Sequence, residues 1–326
     1  MMKIFITGGA GYVGSKLVPK LLEKGNEVTV LDLMIYGENV LQDNKGLTKI
    51  NGDIRDTKLL EKFLPGHDAV IHLACISNDP SYELNPSLGK SINFDAFEPL
   101  VKISREKNIN RFIYASSSSV YGIKNEKNVT EDMSLEPLTD YSKFKGECEK
   151  ILNNYSSEEF ITSTIRPSTV CGYAKRQRLD LVVNILTNHA FHKRKITVFG
   201  GDQLRPNVHI DDMVDSYILL LNSDYKKING EIFNVGYKNQ TVNELAQNVR
   251  DVIGKDIEII KTKSDDNRSY HVSSQKIYDV LNFKTKLTVK DAVFDLQQAF
   301  KDKLLTETFE NENYFNIKRM QSIKLI

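Results

Sequence analysis

The stretch Lys3-Ile4-Phe5-Ile6-Thr7-Gly8-Gly9-Ala10-Gly11-Tyr12-Val13-Gly14 decides the fold. A short apolar strand runs straight into G-x-x-G-x-x-G. The amphipathic pattern over 15–24, closed by Gly25, is the next helix. Strand, glycine turn and helix in that order is the setting in which such glycines carry meaning. They let the turn tighten and let the backbone approach a pyrophosphate at the positive N-terminus of the helix. The plainer alternative, a glycine-rich turn without a ligand, fits poorly with the next strand.

That strand runs over 27–32 and ends on Asp32. A carboxylate at this place accepts both hydroxyls of an adenosine ribose and repels a 2′-phosphate. No arginine stands immediately after it to hold such a phosphate. NAD(H) is therefore expected over NADP(H). Further apolar strands over 47–51, 69–74, 111–115 and 160–166 alternate with helical patterns, one of them long, over 87–107. This alternation predicts an α/β fold, a doubly wound parallel Rossmann sheet with right-handed crossovers. Ligands of such sheets bind beyond the carboxyl ends of the strands. Gly8 to Gly14, Asp32, the Asp53-Ile54 pair, Ala74 and Ser116-Ser117 all fall at such ends. His72 is expected to be a satisfied core residue. The long polar loop after it carries Ser77, Asn78 and Ser81 and is expected to line a substrate cleft.

Chemistry is concentrated from Arg111 to Lys150. The strand Arg111-Phe112-Ile113-Tyr114-Ala115 breaks into four serines, Ser116 to Ser119, and a helix opens near Tyr141 with Lys145 on it. Residues i and i+4 share a helix face, so phenol and ammonium point the same way. A Lys⁺ beside a phenol favours the phenolate and draws its pKa of ~10 toward neutrality. A serine hydroxyl facing the pair donates to a carbonyl or alkoxide oxygen. Such a set moves a proton on and off a substrate oxygen while a hydride moves elsewhere. Tyr-x-x-x-Lys is common by chance, and the glycine turn and Asp32 are what give it weight.

At 326 residues the chain is expected to form a Rossmann domain over 1–170, with 208–235 packing back onto it, and a smaller α/β substrate domain over 171–326. The second part opens with a basic region, Arg176, Arg178, His189, His192, Lys193, Arg194 and Lys195. Helices are expected over 180–191, 211–221, 241–253 and 288–303, and strands over 196–199 and 232–235. Thr241 with Glu244 marks a capping box, and the tail to Ile326 is expected to be loosely held. A formal charge of +1 gives no electrostatic case for nucleic acid or an anionic membrane. The cysteines Cys75, Cys148 and Cys171 have no metal-ligand spacing and read as free thiols of a reducing compartment. No apolar run approaches ~20 residues, and no signal-peptide pattern opens the chain. A cytoplasmic protein is expected, with no bound metal.

Taken together, these motifs resemble the extended short-chain dehydrogenase/reductase family, the NAD-dependent epimerases and dehydratases of nucleotide sugars. The likeness spans nearly the whole chain. It rests on Gly8-x-x-Gly11-x-x-Gly14, Asp32, Gly52-Asp53, His72-Leu73-Ala74, Asn93 and Ser116-Ser117-Ser118-Ser119-Val120-Tyr121-Gly122. Tyr141-x-x-x-Lys145, Arg166-Pro167 and Arg205-Pro206-Asn207-Val208-His209-Ile210-Asp211-Asp212 complete it. The resemblance implies that Tyr141 trades the proton of a sugar hydroxyl, Lys145 lowers its pKa and holds the nicotinamide ribose, and Ser117 bonds the reacting oxygen. It implies NAD contacts from Gly8, Gly11, Tyr12, Val13, Gly14, Asp32, Asp53, Ile54, Leu73, Ala74, Asn93 and Ser116, with Tyr141 and Lys145. A nucleotide-diphosphate sugar is the implied substrate, held by Ser77, Ser118, Thr169, Arg205 and Arg268. For each arginine a surface salt bridge is the alternative.

Thr169 stands where many relatives have an asparagine that touches the diphosphate, and Asn184 is the candidate to replace it. The segment around Arg178-Leu179-Asp180 and Asn184 is also similar to the GDP-heptose-oxidising branch of the family. The family suggests a homodimer paired through the helices over 87–107 and 140–155. It implies oxidation at C4 to a 4-keto sugar as the first step. Dehydratases then use an Asp-Glu pair directly after the catalytic serine or threonine, and Ser118 and Ser119 occupy those positions here. Hydroxyls are poor general acids or bases near neutral pH. C4 epimerisation is therefore expected first, 4-oxidation second and 4,6-dehydration last. A cofactor-sensing protein that catalyses nothing typically lacks the Tyr-Lys pair.

Overall fold

Apolar strands that alternate with amphipathic helices have one compact solution, a parallel sheet covered on both faces. The computed structural model describes residues 1–126, 128–263, 269 and 271–325. Its strands are β1 (Lys3–Thr7), β2 (Glu27–Asp32), β3 (Leu47–Asn51), β4 (Ala69–His72), β5 (Arg111–Ala115), β6 (Ile161–Pro167), β7 (Thr169–Cys171), β8 (Lys195–Phe199), β9 (Leu204–His209), β10 (Glu231–Val235), β11 (Lys238–Thr241) and β12 (Glu258–Thr262). Its helices are α1 (Gly14–Glu23), α2 (Thr57–Phe63), α3 (Asp79–Glu83), α4 (Pro86–Lys90), α5 (Phe97–Glu106), α6 (Asp140–Tyr155), α7 (Val182–Lys193), α8 (Ile210–Asn222), α9 (Tyr225–Ile228), α10 (Val242–Ile253), α11 (Gln275–Leu281), α12 (Val289–Lys301) and α13 (Asn316–Ser322).

The central sheet has seven strands in the order β10-β6-β5-β4-β1-β2-β3. Its pairings are all parallel. β4 is buried at every position, as a strand covered on both faces must be. One core layer joins β1 and β2 to α1 and α8. The opposite layer packs α2, α5 and α6 on the sheet's other face. The order reverses between β1 and β4, so the strands' carboxyl ends open a crevice there. β10 returns from beyond β9 to pair with β6 in register, Glu231 opposite Ser163.

Outside the main sheet, α7, α10 and α12 pack with β8 and β12 around a separate apolar core. The small sheets β11-β9-β7 and β12-β8 were not foreseen from sequence. The sequence assigns no element to 203–210, yet Leu204–His209 is a strand because its backbone pairs with both β7 and β11. The capping box at Thr241 is present. The single helix expected over 87–107 is broken by a π-turn at Ser91–Asp95. There Asn93 accepts from Ile76 N at 2.8 Å and donates to Ile76 O at 3.0 Å. That tertiary demand outweighs an uninterrupted helical register. The tail is not loose either, because α13 docks with Asn316 and Met320 buried.

One buried ion pair ties α6 to the sheet. Glu149 takes Arg166 Nη2 at 2.6 Å and Nε at 3.0 Å, with each side chain 3% exposed. Tyr121 Oη accepts from Arg166 Nη1 at 2.7 Å, and Ser116 Oγ donates to Glu149. Glu149→Leu strands a buried guanidinium and should cost about 3–5 kcal/mol in denaturant unfolding. Combining it with Arg166→Met should recover much of that loss. Additive losses would show that the pair is not the coupling element.

Candidate active site

The crevice at the switch point is a cavity of about 390 Å³, within the range of small-molecule sites. Gly8, with φ +74°, brings its Cα so close to the loop after β4 that a Cβ would lie 2.5 Å from Ala74 N. At Gly14 a Cβ would lie 2.3 Å from Gly9 O. Side chains are thus excluded where a backbone must approach phosphate oxygens. Gly11, Tyr12 and Val13 line the cavity beside them. Asp32 accepts from Ala10 N and Met34 N, each at 2.9 Å, and burial holds its carboxyl above the usual range. Asp53 also lines the wall, where burial raises its carboxyl but the Arg55 fork overcomes this and leaves it lowered. These features fit the diphosphate and adenosine half of a dinucleotide.

At the other end stand the serine turn and α6. Thr139 caps α6 reciprocally with Ser142, which fixes where the helix begins. Tyr141 and Lys145 both face the cavity. Lys145 Nζ donates to Ala115 O at 2.7 Å and lies 5.9 Å from the centre of the Tyr141 ring. Ser117 Oγ accepts from Ser119 N at 3.1 Å and lies 2.8 Å from Ser119 Oγ. Ser116, Ser117, Ser118 and Ser119 all line the cavity.

The Tyr141 phenol departs from expectation. It is pushed well above its ordinary 10, chiefly by burial, with Cys75 and Asp79 adding to the rise. The backbone N–H of Asn78 and the Arg178 guanidinium pull the other way. Asn78 holds φ 76° and ψ 157°, a strained backbone for a residue with a Cβ. His72 is a core residue, with Thr7 Oγ1 2.6 Å from Nδ1 and its pKa pushed down to about 3 by burial and then by Lys145.

Among the other foreseen residues, Ile54, Leu73, Ala74, Ser77 and Thr169 line the cavity, and Asn93, Asn184 and Arg205 do not. Asn93 is consumed by Ile76, so it braces the wall rather than forming it. Asn184 is engaged elsewhere. It is fully buried, accepts from Gly172 N, and donates to Tyr12 Oη and Arg178 O. Arg205 lies on β9 and donates to Leu204 O. Arg268 lies outside the described residues.

Sequence reading missed Tyr36, Arg176, Arg178, Asn316, Met320 and Leu325, all of which line the cavity. The Arg176-Gln177-Arg178 run was visible as charge, but its burial was not. Nothing in the tail's composition marks it as part of a wall. Among the described residues His209, Asp211 and Asp295 approach one another at metal-ligand spacing, but none lines this cavity.

A Rossmann sheet with a glycine cradle, a carboxylate at the end of β2 and a Ser/Tyr/Lys set at one crevice fits the class of nicotinamide-dependent enzymes. Residues 4–236 match the NAD dependent epimerase/dehydratase family, and the chain belongs to that family as an NAD-dependent enzyme. It is 30% identical over 306 residues to a UDP-glucose 4-epimerase of Lactobacillus helveticus, spanning 87% of this chain and 92% of the relative. Its structure is similar to UDP-N-acetylglucosamine 4-epimerase from Methanobrevibacter ruminantium, at 26% identity and a TM-score of 0.83. That likeness covers 93% and 99% of the two chains. A dTDP-glucose 4,6-dehydratase from Streptomyces venezuelae, solved with NAD, shares the fold at 23% identity and a TM-score of 0.83, over 96% and 99% of the chains. No described helix is long and apolar enough to cross a membrane.

Cys75 offers a direct probe of the cavity. It is half-buried in the wall, whereas Cys148 and Cys171 are fully buried, and burial pushes the Cys148 thiol up to about 12. Native protein should therefore lose one thiol rapidly to an alkylating reagent, and NADH should slow that reaction severalfold. Peptide mapping that finds Cys148 or Cys171 labelled first, or no protection by NADH, would contradict this placement.

Proposed function

We propose that the chain is a nucleotide-sugar epimerase that inverts C4 through a transient 4-keto sugar. The carrying observation is the serine turn. Ser117, Ser118 and Ser119 line the cavity with Tyr141 and Lys145, and that turn holds no carboxylic acid. The relatives named as 4-epimerases support the same reading.

NAD, held by the glycine cradle and Asp32, would supply the acceptor and donor of a hydride at the sugar carbon. The chain's own residues handle the proton. Tyr141 takes it from the C4 hydroxyl and later returns it. Its phenol starts protonated because burial opposes the phenolate. Lys145, held by Ala115 O, and Arg178 are the cations placed to favour ionisation once a ligand completes the site. Ser117 donates a hydrogen bond to the same substrate oxygen and stabilises developing charge there. Dehydration needs a further acid and base, which Ser118 and Ser119 cannot supply near neutral pH. Asp79, a carboxylate on the rim, is occupied by the Thr139 hydroxyl.

For the substrate's diphosphate we assign Arg178, Ser77 and Thr169 in place of Arg205 and Asn184. Arg178 Nη1 donates to Ser77 Oγ at 2.8 Å while Asp180 holds its other side. A homodimer paired through α5 and α6 belongs to the same reading. The second reading is 4-oxidation with release of the keto sugar, favoured by the likeness of the Arg178–Asn184 region to that branch.

Tyr141→Phe should leave NADH binding unchanged and lower turnover of a UDP- or GDP-sugar by about 10²–10⁴. In deuterated water epimerisation gives an unlabelled isomer, dehydration places deuterium at C5, and oxidation accumulates NADH. A 6-deoxy-4-keto product, or full activity of Tyr141→Phe, would sink the proposal. Separately, Kd for NADH should lie well below that for NADPH, and Asp32→Ala should narrow the gap. Equal affinities in the native protein would overturn the role given to Asp32.

A further inference from the structure

The segment 172–181 joins β7 to α7 and belongs to no helix or strand. Its shape therefore depends on the side chains that satisfy its backbone. One amide supplies much of this. Asn184, fully buried in the first turn of α7, accepts from Gly172 N at 3.0 Å and donates through Nδ2 to Arg178 O at 2.8 Å. Its Nδ2 also donates to Tyr12 Oη at 3.0 Å. Tyr12 in turn donates to Gly172 O at 2.6 Å. Burial pushes the Tyr12 phenol above its ordinary range, so it stays a hydroxyl. Gln177 supports the same turn, accepting from Ala174 N at 3.0 Å and donating to Gly172 O at 3.3 Å and Arg178 O at 3.2 Å. A buried polar network with its members satisfied is rigid.

Tyr12 belongs to the other half of the cavity. It lies inside the glycine turn, between Gly11 and Gly14, yet both partners of its hydroxyl lie beyond β7. A little further along, Ser15 Oγ accepts from Arg176 N at 3.3 Å. The cradle thus grips the segment 172–181 at two points. Arg178 enters the cavity wall from that segment, with Ser77 and Asp180 on its guanidinium. Asn184 holds the Arg178 backbone without lining the cavity itself.

We propose that Tyr12 and Asn184 are positioning residues that set Arg178 for the substrate's diphosphate from inside the cofactor cradle. A change at the cradle is then felt at the nucleotide-sugar end with no contact between the two ligands. This rests on the assignment of Arg178 to that diphosphate.

The test measures Kd for UDP, and in parallel for GDP, by calorimetry on the full-length protein at saturating NADH. Neither nucleotide carries a sugar to touch the nicotinamide. Tyr12→Phe removes one hydroxyl at nearly constant volume and should raise Kd by about three- to tenfold. Asn184→Asp keeps the shape and the bond from Gly172 N but loses both donated bonds, and should raise Kd at least as much. Arg178→Gln should weaken the nucleotide by itself. Adding Tyr12→Phe to it should bring no further loss, because residues that act through one group are not additive. Thr187→Val removes a buried hydroxyl that bonds Val183 O in the same helix as Asn184. It should lower Tm and leave Kd in place. Unaltered Kd in Tyr12→Phe overturns the positioning role, as does a loss that persists in full beside Arg178→Gln. A loss in Thr187→Val equal to that in Tyr12→Phe makes the effect one of stability and also overturns it. If Arg178→Gln binds the nucleotide as tightly as native protein, or native protein binds neither nucleotide, the assignment of Arg178 fails and the inference with it.

Discussion

The buried pair of Arg166 and Glu149 is the constraint on which the site depends. Arg166 stands on β6 and Glu149 on α6, two turns beyond Tyr141 and one beyond Lys145. Two charges 3% exposed are tolerable only because each has several partners. Glu149 also accepts from Ser116, and Arg166 also holds Tyr121 Oη and Glu131 O. The serine turn, the tyrosine helix and the strand beside them therefore move as one body. Relative positions of Ser117, Tyr141 and Lys145 are set by that body. Such support by residues behind the site is what fixes reacting groups to the accuracy that chemistry needs.

Strain and charge are distributed around that body in a consistent way. Asn78 holds an unfavourable φ beside the phenol, whose pKa its N–H helps to lower, while its side chain caps α3 by taking Ser81 N. The cap offsets part of the strain. Arg178, pinned by Asp180 and Ser77, also lowers the Tyr141 phenol. The backbone N–H of Asn78 and the Arg178 cation thus both favour ionisation of a phenol that burial keeps neutral. Burial, with Cys75 and Asp79 adding to it, keeps the phenol protonated.

Much of this was legible because periodicity and position carry it. β1, β2, β3 and β5 fall where the apolar runs place them, and the glycine cradle, Asp32, Ser117, Tyr141 and Lys145 meet at one crevice. The features that were not legible depend on long-range satisfaction of polar groups. The break in the helix over 87–107 comes from Asn93 answering Ile76, a contact between distant residues that no local pattern encodes. Asn184 has the right side chain in the right region, yet Tyr12, Gly172 and Arg178 exhaust it. Arg176 and Arg178 look in sequence like a solvated basic face, and their burial depends on Tyr36, Asp180 and a tail whose own composition is polar.

That tail bears on the choice between inversion and oxidation. An enzyme that releases a keto sugar must shed its reduced cofactor after each turnover, and every bond across the mouth of its site slows that step. An enzyme that returns the hydride to the same carbon ends each turnover with the cofactor as it began, so exchange is not on its path. Asn316 accepts from Tyr36 on the loop after β2 and donates to Ser77 O on the loop after β4, Arg319 reaches Ile35, and Met320 with Leu325 covers the wall. A closure built from so many interactions is a burden for the first kind of enzyme and none for the second. The physical design of the mouth and the absence of an acid in the serine turn, two unrelated features, favour the same reaction.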